Sequence, residues 1–434
     1  MIVKKFLAIL MTVLMLLPTV SVIAEEHEPI TIRIAWWGDT KRHDRYNTMM
    51  DAFQTMYPWI TVEREYGTWN DYWDKLATQV AGGNAPDVMG MHQQYAADYI
   101  NRNATLPLND YIESGVIDTS KMSEAVLDGC TVDGKIVMLP MGITVTTFLV
   151  NKTMCDELGV ALPAYGDMWT WSDMQNVSRD FRAKAKEAGK DLYFMMDRFA
   201  INEFMNYARG NGRDLYTEDG KLGFTVEDVQ EWYAYFNDLR KEDCLPSADY
   251  VSEQSTKTLE QGAFANYEIA AIMVPVNQLY LYVAQMPDTE LLCAMMPTGN
   301  DGTKDAYLEG AHWAIASTSD KAHQDAAALL IDFLENKEEN WKTMLMDQGV
   351  PANQDMAAYI STLVSDVDAL AIDFVNRTTE VVPGGFAYPP AGATEIKALF
   401  QEYQEYTMFG YSTVEEAAAA FYQGALDILA TNQK

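Results

Sequence analysis

Two hydrophobic periods alternate along the first hundred residues. Thr31 to Ala35 alternates polar and apolar positions and runs into Trp36-Trp37-Gly38-Asp39, the pattern of a strand delivering a loop. From Arg45 to Met56 the apolar positions Met49, Ala52, Phe53 and Met56 recur at helical spacing, which predicts a helix that Tyr57-Pro58 ends. Ile60 to Glu65 predicts a second strand. Asn70 to Ala81 predicts a second helix, with Asn70 or Asp71 as its N-cap. Gly82 to Pro86 breaks that helix ahead of a short apolar third strand, Asp87 to Met91. Strand and helix alternating in this way imply a parallel sheet, whose ligands bind beyond the carboxyl ends of the strands.

The alternation loosens in the middle of the chain. Ile136 to Pro140 and Thr146 to Asn151 read as two extended runs, Trp171 to Ala188 and Val226 to Arg240 as helices, and Ile269 to Val274 as a buried strand. Ala322 to Glu335, Glu338 to Met346, Glu395 to Phe409 and Val414 to Ala430 read as helices. No internal repeat or low-complexity tract interrupts them, so the chain reads as α/β units finished by helices.

Residues 1–24 change the picture of where the protein works. They have the three-part form of a secretory signal: Lys4 and Lys5, an apolar run from Phe6 to Leu17, and Val22-Ile23-Ala24 ahead of Glu25. The run is shorter than the roughly 20 residues that a helix needs to cross a bilayer, so cleavage and an extracytoplasmic location are expected. A bacterial lipid anchor would need a Cys just after this segment, and the first is Cys130, so no N-terminal anchor is expected. The 410 residues that follow the signal exceed the roughly 250–300 at which a single core stops growing, which calls for two lobes.

The formal charge is −32, or −34 without Lys4 and Lys5. Such a balance repels nucleic acid and anionic membranes and favours neutral or cationic ligands. Cys130, Cys155, Cys244 and Cys293 lie far apart, with no CxxC pair and no His at zinc-ligand spacing; none of the five His is placed for a metal, so no cofactor is expected. Disulfides and buried free thiols both remain open. Aromatic residues make up 12% of the chain, a surplus that suits a ligand whose flat faces need stacking.

Several fragments, in order, carry a family resemblance. They are Ala52-Phe53 with Tyr57-Pro58-Trp59-Ile60-Thr61-Val62, then Tyr72 to Leu76, Gln79 to Gly82 and Ala85 to Val88. Asp133-Gly134-Lys135 before Leu139-Pro140, Val150-Asn151-Lys152 before Leu158-Gly159, Trp169 to Asp173, and Gly310 to Ile315 follow. With them the chain resembles extracellular solute-binding proteins of the oligosaccharide class, the maltose-binding-like and glycerol-phosphate-binding-like receptors of ABC importers. Two places depart from the family pattern. Leu149-Val150-Asn151-Lys152 stands where many members carry Tyr-Asn-Lys, and Pro275-Val276-Asn277-Gln278 where many carry Gly-Trp, which removes one expected sugar-stacking Trp.

The resemblance implies an α/β, two-lobed, periplasmic-binding-protein-like (type II) fold with a hinge and an interlobe ligand cleft. On this reading residues 25–139 and 276–335 form the N-terminal lobe and 140–275 and 336–434 the C-terminal lobe. Crossings are expected near Leu139 to Gly142, Val274 to Val276 and Leu334 to Asn336. It further implies a monomer that closes on a sugar or oligosaccharide and delivers it to the transmembrane subunits of an ABC permease, with no catalysis.

A sugar needs flat aromatic platforms and polar groups aimed at its hydroxyls. Trp36, Trp37, Asp39 and Arg42 follow the first strand. Adjacent strand residues face opposite sides, so one Trp reaches the cleft and the other packs in the core, Trp37 being favoured for the cleft. Trp69 follows the second strand and either stacks on a ring or packs inward. After the third strand the resemblance implies ligand-binding groups at Gln93 or Gln94, with His92 structural. Thr144 and Met141 are hinge candidates, and Arg198, Asn202 and Asn206 share a helical face. Asn277 and Gln278 occupy the place of the missing Trp. The family comparison favours Glu309 or Trp313, and Tyr388 sits on an aromatic loop.

Other classes fit less well. A glycoside hydrolase needs two carboxylates at a fixed separation, and the 63 Asp and Glu single out no pair. No GxSxG elbow, HExxH helix or Walker loop is present. The same fold could instead bind a polyamine, glycerol phosphate or a metal chelate, or serve a chemosensor rather than a permease.

Overall fold

A computed structural model of the chain describes residues 27–197, 201–217, 219–254, 257, 259–303, 306–381, 384–385 and 389–432. The expected signal, residues 1–24, lies outside the described residues, as do Arg198, Tyr388 and the side chain of Gln94.

The N-terminal alternation builds the parallel layer that the pattern predicts. Strands β1 (Ile30–Trp37), β2 (Ile60–Gly67) and β3 (Val88–His92) are parallel with β1 in the middle, and each is followed by a helix: α1 (Thr40–Met56), α2 (Trp69–Ala81) and α3 (Gln93–Asn101). Helix α1 starts at Thr40 rather than Arg45 because Asp39 caps it, its carboxylate accepting the Arg42 N–H at 2.9 Å. Four more strands join antiparallel: β4 (Leu139–Asn151), β5 (Ala271–Pro275), β6 (Leu291–Ala294) and β7 (Ala306–Ile315). The order across the sheet is β2-β1-β3-β7-β4-β5, with β6 also on β4.

Strand β4 unites the two extended runs seen in the sequence. Its first half, Leu139 to Val145, pairs with β7; its second half, Thr146 to Asn151, lies between β5 and β6. Alternation along β4 feeds two cores. Leu139 and Leu149 join the cluster of Trp36, Phe53 and Ile315, whereas Phe148 and Val150 join that of Trp171, Phe181 and Trp232. The first cluster packs on the N-terminal strands and on one face of the β4-β5-β6 sheet, the second on that sheet's other face. In the second lobe, helices Trp171–Glu187 and Val226–Lys241 each open on a capping box, Thr170 with Asp173 and Thr225 with Asp228. Helices Ala393–Met408 and Val414–Asn432 close the chain against each other. Among the described residues no helix is long and apolar enough to cross a membrane.

Contacts join distant segments of the chain. Strand β6 pairs with Phe148 to Asn151, and Trp169 donates its indole N–H to the Met295 carbonyl at 2.6 Å. Segment 291–295 alternates between the clusters, Cys293 and Met295 lying in the first and Ala294 in the second. Conversely, helix Glu338–Met344 packs on α1 with Trp341 buried, and Ile143 and Val350 exchange backbone hydrogen bonds at 2.8 Å, so 338–350 belongs with the first core. Leu334 to Asn336 ends a helix packed in the first cluster, and Val274 and Val276 join that cluster as well. Strand β4 has side chains in both clusters, and β7, which pairs with its first half, meets Gly384–Gly385 at its own start.

Where β4 enters the crossing it bulges. The register against β7 shifts between Pro140 and Gly142, leaving Met141 unpaired. The Met141 sulfur lies 3.6 Å from the Tyr46 hydroxyl and 3.7 Å from Gln348 Nε2. A Cβ on Gly142 would come within 2.7 Å of the Gln348 carbonyl oxygen, and Gly349 holds φ +114°, so these two glycines let two backbones touch. The four cysteines are buried and unpaired, which resolves the choice left open by their spacing.

Candidate functional site

The carboxyl ends of β1, β2 and β3 deliver an aromatic corner. Alternation places Trp36 and Trp37 on opposite faces: Trp36 packs toward α1 against Tyr46, and Trp37 packs toward α2. Trp37 meets Trp69 edge-on at 5.2 Å, and Trp69 in turn meets the His92 ring at 5.1 Å. Trp37 is 6% exposed and forms the back of the corner, whereas Trp69, the first residue of α2, is half-buried and presents the open side. Burial pushes the His92 imidazole down to about 4 and that of the fully buried His312 to about 3, so both rings are neutral near pH 7.

Gln93 joins this corner to the crossing strands. Its Nε2 donates to the Leu308 carbonyl at 2.9 Å and its Oε1 accepts the Gly310 N–H at 3.2 Å, clamping β7 on both sides of Glu309. Gln93 is itself buried, so its amide is committed to holding the strand. Glu309 lies directly opposite Thr144 on β4, and directly opposed residues share a face. Ile143, Val145 and Leu308 fill the first core from the other face, while Thr144, Thr146 and Glu309 form a polar strip. Thr144 Oγ1 is buried with no hydrogen-bond partner among the described residues. Burial raises the Glu309 carboxyl above its ordinary range, and Lys397 partly opposes that rise.

The second lobe supplies the facing polar groups. Pro275 of β5 pairs with Thr146, and the short turn Val276–Gln278 follows it. The Asn277 side-chain oxygen is buried without a partner among the described residues. A cavity of about 510 Å3 opens here, lined by Val274, Gln278, Tyr282, Lys397 and Gln401 among others. Unspent hydroxyl, amide and carboxylate groups with one lysine can exchange hydrogen bonds with a polar ligand, and a half-buried aromatic can pack on an apolar face.

The expected residues therefore separate. Trp37, Trp69, Gln93 and Glu309 are brought together, and Asn277 stands on the turn after β5 beside the polar strip. Three others are engaged elsewhere. Asp39 is the N-cap of α1. Arg42 Nε donates to the Asp347 carboxylate at 2.7 Å, and its guanidinium also reaches the Asp347 carbonyl, tying α1 to the loop after helix Glu338–Met344. Trp313 is 2% exposed and packs edge-on against Tyr46 at 5.5 Å in the first core, because helices cover both faces of β7 there. Asn206 is buried and donates to the Asn202 carbonyl within its own helix. Thr146 and Lys397 escaped the sequence reading. Alternation from Thr144 would have found the first, but Lys397 is the lone lysine of helix Ala393–Met408 and carries no sequence signal that ties it to β7.

Residues 48–371 match the family described as bacterial extracellular solute-binding proteins. The fold is similar to an extracellular solute-binding protein family 1 structure from Alicyclobacillus acidocaldarius, at 25% identity and TM-score 0.80 over 93% of this chain and 100% of that one. A periplasmic oligogalacturonide-binding protein of Yersinia enterocolitica matches at 22% identity and TM-score 0.79, with the same coverage of each chain. The sugar-binding protein MalE of Xanthomonas citri matches at 18% identity and TM-score 0.74 over 93% of this chain and 98% of that one.

Proposed function

Because the chain belongs to the bacterial extracellular solute-binding protein family, we propose that it captures a sugar or short oligosaccharide between its lobes. It passes the ligand unchanged to the transmembrane subunits of an ABC importer. The observation that carries this reading is the polar strip where β4 and β7 pair: the Thr144 hydroxyl and the Asn277 side-chain oxygen are buried without partners among the described residues, and Gln93 joins that strip to the corner that holds the half-buried Trp69. An aromatic face receives the apolar C–H side of a pyranose, and buried groups without partners gain hydrogen bonds only when hydroxyls arrive. Sugar-binding relatives of the same fold support the ligand class.

Closure is the step that makes such a receptor work. Bending at the Met141 bulge would swing Gln278 and Lys397 toward Trp69, and a ligand drives this only in so far as it binds the closed form better than the open one. The polar strip holds one carboxylate of raised pKa beside one lysine, an arrangement that can donate and accept but offers no pair of acids set for glycoside hydrolysis.

The test is a thermal-shift screen of the mature chain against mono-, di- and oligosaccharides, with polyamines and glycerol phosphate alongside. A ligand at 100 times its Kd stabilises by about 2.7 kcal/mol, so a saturable rise in Tm with one glycan class is the expected result. A rise with polyamines or glycerol phosphate alone would keep the solute-capture role and replace the ligand class. Release of reducing ends from incubated oligosaccharide would overturn the non-enzymatic reading.

A further inference from the structure

Helices α2 and α3 stand next to each other without filling the space between them. Trp73, Ala77 and Val80 recur at helical spacing along α2, and Tyr95, Tyr99 and Arg102 do so along α3 and just past its end, so each set forms one row. The rows meet at their rings: Trp73 stacks on Tyr95 at 4.2 Å and lies 6.1 Å from Tyr99. Ala77 carries only a methyl group, and a groove of about 460 Å3 remains, lined also by Asp74 and Asp98. Typical sites for small ligands hold roughly 300–1,000 Å3. Every wall of the groove comes from these two helices and the residue after α3, so it is separate from the strip where β4 and β7 pair.

The walls carry polar groups that nothing within the protein uses. Trp73 is 6% exposed, and its indole N–H is buried without an acceptor among the described residues. A buried donor is ordinarily paired, and this one belongs to a side chain that lines an open space. Burial pushes the Tyr99 phenol up to about 12, so it keeps its proton and can donate. Asp98 and Arg102 stand four residues apart, the spacing of an ion pair on a helix, yet neither they nor Asp74 makes one among the described residues. The groove thus offers two neutral donors and a guanidinium to a negative group, and two carboxylates to a positive one. An anion alone would meet Asp74 and Asp98. A cation alone would meet Arg102 and leave the indole N–H unanswered. A zwitterion answers both sets, and the rings with Ala77 and Val80 cover its apolar remainder.

We propose that the groove between α2 and α3 is a second binding site, independent of the sugar reading, for a small zwitterion with an apolar body: the chemistry of a free α-amino acid with an aliphatic or aromatic side chain. Its carboxylate takes the Trp73 N–H and the Arg102 guanidinium, and its ammonium faces Asp74 and Asp98. Trp73 meets Trp69 edge-on at 5.6 Å and lies 5.5 Å from Trp37, so an occupant sits behind the aromatic corner.

The experiment is calorimetric titration of the mature chain with L-leucine and L-phenylalanine, beside phenylacetate and phenethylamine, which each keep one charge of the pair. The expected result is one amino acid bound per chain, about tenfold or more tighter than either singly charged compound. Asp98→Asn and Arg102→Gln alter exposed side chains, so both variants should keep the parent's Tm. Each should weaken the amino acid by about tenfold, and neither should change the Tm rise that a glycan gives. Amino-acid binding that survives both substitutions would lie elsewhere on the protein and overturn the assignment to the groove. Phenylacetate or phenethylamine binding as tightly as the amino acids would overturn the zwitterion class. No binding of any of the four compounds would remove the site and leave the sugar reading standing.

Discussion

Thr144 and Glu309 face each other across the two strands that join the lobes, and neither polar group is satisfied there in the ordinary way. The Thr144 hydroxyl is buried without a partner among the described residues, and burial holds the Glu309 carboxyl above its usual range. Replacing a buried, unsatisfied hydroxyl by a methyl removes a desolvation cost of about 1–3 kcal/mol. Thr144→Val should therefore raise the Tm of the ligand-free protein while weakening the glycan found by the screen. Differential scanning fluorimetry with and without ligand reads both effects, and a stabilised variant with unchanged affinity would detach Thr144 from the site.

Glu335 ends helix Lys321–Asn336 with its carboxylate wholly inside the first core, and neither oxygen finds a hydrogen bond. Burial pushes this carboxyl well above 4.5. The folded chain then holds the proton at pH values where the unfolded chain has released it. Stability is fully present below the unfolded value and is lost as pH rises toward the folded one. Glu335→Gln should flatten this decline, with the variant gaining about 1–3 kcal/mol on the parent at pH 8 relative to pH 4. Urea titrations at the two pH values check it. Equal pH dependence of variant and parent would mean that Glu335 is charged and compensated.

Two tryptophans separate packing from recognition. Trp313 fills the first core against Tyr46, so Trp313→Ala should cost about 3–5 kcal/mol and leave the ligand selectivity of whatever folds unaltered. Trp69 is half-buried at the start of α2, so Trp69→Ala should cost less stability and lower glycan affinity by tenfold or more, about 1.4 kcal/mol. Chemical denaturation and calorimetry on the same pair of variants distinguish the two roles.

Burial pushes the Cys155 and Cys293 thiols up to about 12, and Cys130 higher still. A thiolate is the reactive species, so the native protein should be inert to an aromatic disulfide reagent at pH 8 and should titrate four thiols once unfolded. Fewer than four on unfolding under non-reducing conditions would reveal a disulfide.

The N-terminal half of the first lobe was legible because its signals are local. Periods of two and of 3.6 residues fix β1 to β3 and the helices between them, and adjacency of the strands then follows. The same local signals place Trp37, Trp69 and Gln93 at the carboxyl ends of those strands, where the structure finds them. Lobe membership was less legible. Strand β6 is claimed by Phe148 to Asn151, more than a hundred residues earlier, and helix Glu338–Met344 by α1, nearly three hundred residues earlier; no short-range pattern encodes either choice. The same limit explains Arg42 and Trp313. Periodicity says that a residue sits at a strand end or on one face, but the Asp347 that engages Arg42 and the helix that covers Trp313 come from distant parts of the chain.

Strand β4 bears on how the protein comes apart. Leu149 completes one core and its neighbours Phe148 and Val150 the other, so no cut in the chain leaves either lobe whole. The two clusters should therefore melt together, and a calorimeter should record one transition for both. Any motion between the lobes must bend a hydrogen-bonded ladder that is interrupted at one bulge, so its reach is set by the give of that bulge and not by the slack of a linker.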